Sequence, residues 1–141
     1  MILLLANLSA ALFLTGLSWF LQIVQLPLLA RLDTADFSKS LAFQRRRNTM
    51  LMAPAMAMEM GTAFWLAFPE ATRFNHRNLF HAWVLLAVIW LITLFRHIPL
   101  NARLIRGYDA GAMRSLANWN WARTLLWTAR CGFLLLTIAV C

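Results

Sequence analysis

The sequence predicts an all-α integral membrane protein, an up-down four-helix transmembrane bundle with short interfacial helices in the cytoplasmic loops. Three observations predict it. Hydrophobic residues make up 62% of the 141 positions, against roughly 45–50% in soluble domains. Four apolar runs each approach the roughly 20 residues that cross a bilayer. The connections between them are too short to hold a soluble domain. Lipid accepts only helices or closed barrels, and these runs are too long for barrel strands. The chain is therefore read as one transmembrane domain, 1–141.

The first span covers about 2–30, with Gln22 and Gln25 standing out as polar positions. The second covers about 48–68, contains Pro54 and is stopped by Pro69. Pro54 removes one backbone hydrogen bond and is expected to kink its helix. The third covers about 79–97 and stops before Pro99. The fourth covers about 121–140. Asp33 or Thr34 can cap a helix that joins the second span, and Asp109 one that joins the fourth. No internal repeat or low-complexity tract stands out.

Lys and Arg set the orientation. Arg31, Lys39, Arg45, Arg46 and Arg47 lie in the first loop, and Arg103, Arg106 and Arg114 in the third. The second loop holds only Arg73 and Arg77. By the positive-inside rule the first and third loops face the cytoplasm, and both termini are periplasmic in a bacterial inner membrane. The same rule and contact with anionic lipid account for the net charge of +8, so no nucleic-acid partner is expected.

Polar residues inside the spans recur at helical spacing. Thr15, Ser18, Gln22 and Gln25 share one face of the first span, with Trp19 adjacent. Met52, Met56 and Glu59 form a stripe on the second. Asn120, Arg123, Trp127 and Arg130 do so on the fourth. The third span has no such stripe, so it is expected to face lipid or to pack. A charge at the bilayer centre costs roughly 2.5–3.5 kcal/mol on insertion scales, so such residues are functional candidates by default. Glu59 and Arg130 fall at similar depth, roughly 17 and 14 Å from the cytoplasmic side at 1.5 Å per residue. They are expected to pair, with Gln22 in reach. Arg123 lies closer to the cytoplasm and either joins them or snorkels.

Other chemistries find little support. The methionines at 50, 52, 56, 58 and 60 point around the whole helix rather than converging on a copper ion. His81 and His97 sit at opposite ends of the third span, which disfavours haem. Cysteine spacing indicates neither disulfide nor zinc site. No metal and no organic cofactor is expected.

Several strings resemble a family of small bacterial four-helix membrane proteins of mostly unknown function, distantly similar to the anthrone-oxygenase-like family. They are Gly16 to Pro27, Pro54 to Glu59, Asn120 to Arg130, and Pro99 to Leu104 followed by Gly107-Tyr108-Asp109. The resemblance implies a four-helix membrane fold and, for anthrone oxygenases, oxidation of a polycyclic phenol without metal or organic cofactor. The histidines expected before the second span are absent from Phe43 to Arg47.

The expected function is binding or oxidation of a small hydrophobic phenol- or quinone-like molecule. Gln22, Arg123, Arg130, Trp19, Trp127 and Asn120 are the candidate ligand-binding residues, and Glu59 is the candidate proton acceptor. The alternative is a non-catalytic accessory or assembly subunit of a larger membrane complex, or a homo-oligomer, with Glu59 and Arg130 as a structural clamp.

Overall fold

The computed structural model describes residues 1–68 and 76–140. Pro69 and Arg73, which bear on the second span and its loop, and Cys141 lie outside the described residues. Four long helices follow one another. α1 is Ile2–Leu29 and α2 is Thr34–Leu66. α3 is built of His76–Ile92, Thr93–His97 and Ile98–Arg106, and α4 is Ala110–Ala139. The described residues contain no strand. α1, α4 and the Arg77–Arg106 stretch of α3 are long and apolar enough to cross a membrane. α2 has the length but not the hydropathy, because Lys39, Arg45, Arg46 and Arg47 occupy its first half and Glu59 its second.

The helices are longer than the sequence suggests. The interfacial helices are not separate: they are the first turns of α2 and α4. Asp33 precedes α2 without a side-chain cap. Asp109 caps α4, its carboxylate accepting from the backbone N–H of Gly111 at 2.9 Å and Ala112 at 3.2 Å. Pro54 lies within an uninterrupted α2. The largest difference is at Pro99, which does not end α3. A π-helical turn at Thr93–His97 precedes it, with the Ile98 N–H bonding back to Thr93. Pro27 in α1 is handled identically: a π-helical turn at Leu21–Gln25 precedes it, and the Leu26 N–H bonds to Leu21. Such local widening re-satisfies backbone groups that a proline frees inside lipid.

This match exposes an internal repeat. The string Pro-Leu-x-Ala-Arg-Leu occurs at 27–32 and again at 99–104, each starting two residues after a π turn. Each copy leads into a new helix that folds back, so α1–α2 and α3–α4 are hairpins built alike. The repeat is hard to see in the sequence because the matched string is short and the spans on either side have diverged.

Apolar clusters hold the two ends. At the far end, Leu4, Leu8, Leu66, Leu79, Ala82 and Leu134 pack together. At the basic end, Leu29, Phe37, Leu41, Leu104, Met113 and Leu116 do so. Between them Leu14, Ile89 and Trp127 form a small central cluster. α1 lies along α4 through a row of polar contacts. Ser18 Oγ meets Thr124 Oγ1 at 2.7 Å, and Asn120 Nδ2 donates to Gln22 Oε1 at 2.8 Å. α2 and α3 are joined differently. The Trp83 indole N–H donates to the Ala63 carbonyl at 2.9 Å near one end, and the Ile98–Arg106 segment packs on α2 at the other. Between those ties the two helices barely touch.

Candidate functional site

Two polar layers occupy the interior, and Trp127 separates them. The first centres on Arg130, which is 1% exposed. Its Nη1 donates to Glu59 Oε1 at 2.7 Å, its Nη2 to Asn7 Oδ1 at 3.1 Å, and its Nε to the Ala82 carbonyl at 3.0 Å. One guanidinium thus contacts all three other helices. Asn7 closes the network, its Nδ2 donating to the Glu59 carbonyl and to Thr62 Oγ1, both at 2.8 Å. The guanidinium's charge-assisted bonds are about twice as strong as neutral ones. The layer is nearly closed: Glu59 Oε2 and, at its boundary, the Trp127 indole N–H are buried without a partner among the described residues.

The Glu59–Arg130 pair is thus where sequence spacing puts it, but its third member is Asn7 rather than Gln22. Asn7 continues the polar face of α1, two helical turns before Thr15, and that spacing is the signal that identifies it. α3 also contributes more than packing, since a backbone carbonyl of a buried alanine completes the arginine's coordination. No side-chain pattern could reveal that.

The second layer lies nearer the basic end. Here residues of all four helices line a partly open cavity of about 310 Å³. Arg123 lines it and is 5% exposed. Its guanidinium carbon sits 4.8 Å from the centre of the Trp127 ring. It makes no hydrogen bond or ion pair among the described residues. Arg123 therefore neither reaches Glu59 nor snorkels. His97, 7% exposed, lines the same cavity with its Nε2 unpartnered. Asn120 joins them while bonded to Gln22. Gln25 accepts from Asn48 at 3.0 Å and donates to Gln44 at 2.5 Å, tying α1 to α2 across the cavity rim.

The repeated hairpins supply this lining in matched positions. Leu21 and Thr93 open the two π turns, and Gln25 and His97 close them. Leu26 and Ile98 follow, then Leu29 and Asn101, and all eight face the cavity. α2 and α4 complete the lining, with Asn48 and Arg123 among their residues. π turns are over-represented at functional sites, and here both border one cavity.

Of the remaining sequence candidates, Trp127 is fully buried at the boundary of the layers. Trp19 stands outside both. It is partly exposed, donates to Thr128 Oγ1 at 3.2 Å and meets Trp121 edge-on. Its periodicity is one residue off the buried face, and that offset turns it outward. Among the described residues no group of three or more His, Cys, Asp or Glu is placed to hold a metal. No family model, curated protein or solved structure matches the chain.

The two layers differ chemically. The Arg130 layer is a nearly satisfied network, able to lock helices, and neither Asn7, Glu59 nor Arg130 lines the cavity. The Arg123 layer leaves donors unused beside empty volume. Placing an unpaired charge in a low-dielectric interior costs several kcal/mol, and a cation–π contact offsets about 2 kcal/mol of that.

Proposed function

We propose that the protein is a multi-pass inner-membrane four-helix bundle that binds a small hydrophobic molecule of phenol or quinone type. The oxygen-bearing head would occupy the Arg123 cavity. The observation that carries this reading is a buried arginine without a hydrogen bond, lining a cavity in which no carboxylate is found. Three helices of membrane-spanning character support the setting. α2 completes the bundle as the fourth span, its Glu59 charge met by Arg130 inside the protein rather than by lipid. The basic residues at one end support a cytoplasmic location for that end and for both helix-to-helix turns beside it.

In this reading Glu59 and Arg130 form the clamp and Arg123, His97 and Asn120 form the site. Binding is the part that the residues account for. The resemblance to the anthrone-oxygenase-like family points in the same direction as to ligand class. Native mass spectrometry on protein extracted in mild detergent tests the proposal. A small bound mass that disappears in Arg123→Met, while the variant stays folded, is the expected result. A protein subunit in the spectrum with no small-molecule adduct would favour the accessory-subunit reading instead.

A further inference from the structure

We infer that the ligand of the Arg123 cavity carries a carboxylate head, and that its tail leaves sideways into the bilayer between α2 and α3. The inference rests on the binding role proposed above, puts a carboxylate in place of the phenol or quinone head, and adds the route of the tail.

Charge complementarity fixes the head. The cavity lining contains Arg123 and, at its edge, Arg45, but no aspartate or glutamate. Of the five acidic residues in the chain, Glu59 is committed to Arg130 and Asp109 to Arg103 and its own helix cap. Among the described residues the protein thus offers Arg123 no counter-charge at this site. A planar guanidinium with free N–H groups matches a carboxylate through two parallel hydrogen bonds. His97 Nε2, also buried and unpartnered in the same cavity, adds one more polar contact. A neutral carbonyl would use these donors without neutralising the charge. A cavity of about 310 Å³ is at the small end of ligand pockets, which suits a one-charge head with a single tail.

The tail's route follows from the walls. Thr49, Met52, Ala53 and Met56 of α2 face Thr93 and Ile98 of α3 across the cavity. α2 and α3 are tied at Trp83–Ala63 and at the Ile98–Arg106 segment and barely touch between those ties, so the mouth of the cavity is assigned to that gap. Methionines are flexible and polarizable, so they line a slot for a chain well. A mouth there would face lipid tails, and an acyl chain would need no aqueous path.

The test uses the full-length protein in nanodiscs. Three probes are titrated: cis-parinaric acid by its own fluorescence, its methyl ester in the same way, and decylubiquinone by quenching of protein fluorescence. The acid is expected to bind at least about tenfold more tightly than the ester, since one charge-assisted contact carries that much. Arg123→Gln should remove the difference. Ala53→Trp, which fills the slot and leaves Arg123 in place, should weaken the acid. Equal binding of acid and ester to the unaltered protein would overturn the carboxylate assignment, whatever the variants do. If decylubiquinone then still binds, the broader binding role survives. If none of the three binds, both are overturned together.

Discussion

Asn7 and Arg130, 123 positions apart in sequence, meet at 3.1 Å in the bundle interior. Their contact shows how the clamp works. Arg130 already faces Glu59, and Asn7 holds both partners at once, accepting from the guanidinium and donating to the Glu59 backbone. Asn7→Leu leaves one guanidinium N–H without its acceptor and removes the donor shared by the Glu59 carbonyl and Thr62 Oγ1. A loss of about 1–3 kcal/mol is expected, read as a lower unfolding midpoint in detergent.

The Glu59–Arg130 pair should behave as a unit. Glu59→Gln alone leaves a buried guanidinium uncompensated, which costs about 3–5 kcal/mol in comparable buried pairs. Adding Arg130→Met removes that charge and should restore much of the folded yield. Arg130→Met alone should be as harmful as Glu59→Gln. If the double variant is as unstable as the worse single variant, the pair does more than cancel charge.

Arg123 should respond in the opposite way. It has no counter-charge and no hydrogen bond to lose. Arg123→Met keeps packing against Trp127 and removes an unpaired buried charge, so the folded protein should gain stability or stay within about 0.5 kcal/mol. Thermal unfolding in detergent with no added ligand measures this. A large loss would show that Arg123 supports the fold.

Asp109 gives a pH signature outside the membrane. The N–H groups of Ala112 and Gly111, and then Arg103, hold its carboxyl below the ordinary value of 3.8. A carboxyl depressed by folding contributes stability above its unfolded value and loses it as pH falls through the lower folded one. Asp109→Asn keeps a capping oxygen but not the charge. The two proteins should differ by a constant amount above the ordinary carboxylate range and converge below it. The Arg103 contact is solvent-exposed, so the difference should also shrink in high salt.

Orientation can be checked by labelling. With Cys131 and Cys141 replaced by alanine, Lys39→Cys and Arg114→Cys should react with a membrane-impermeant maleimide only after the cytoplasmic face is opened. Reaction in intact spheroplasts would reverse the topology.

The sequence made some of this legible and hid the rest for physical reasons. Glu59 and Arg130 could be paired from spacing and depth, because each lies on a polar stripe at a similar distance from the basic end. Arg123 could be placed nearer the cytoplasm but not assigned to a layer of its own, since the residue that intervenes, Trp127, lies on the same stripe. The role of α3 was hidden because it acts through a backbone carbonyl at Ala82 and through His97, just before a proline that signals a helix end. The true end comes after Arg106, because a π turn absorbs the proline and no local propensity announces it.

The matched hairpins have one more consequence. A cavity walled by two copies of one design would present its contents with equal surroundings on both sides, and a guest could sit either way round. This chain has broken that balance at a matched place: one π turn closes with Gln25 and the other with His97. The second hairpin also brings Arg123 to the lining from α4. The duplicated frame keeps its shape while its inner surface acquires a left and a right, and a bound molecule would be given a single facing.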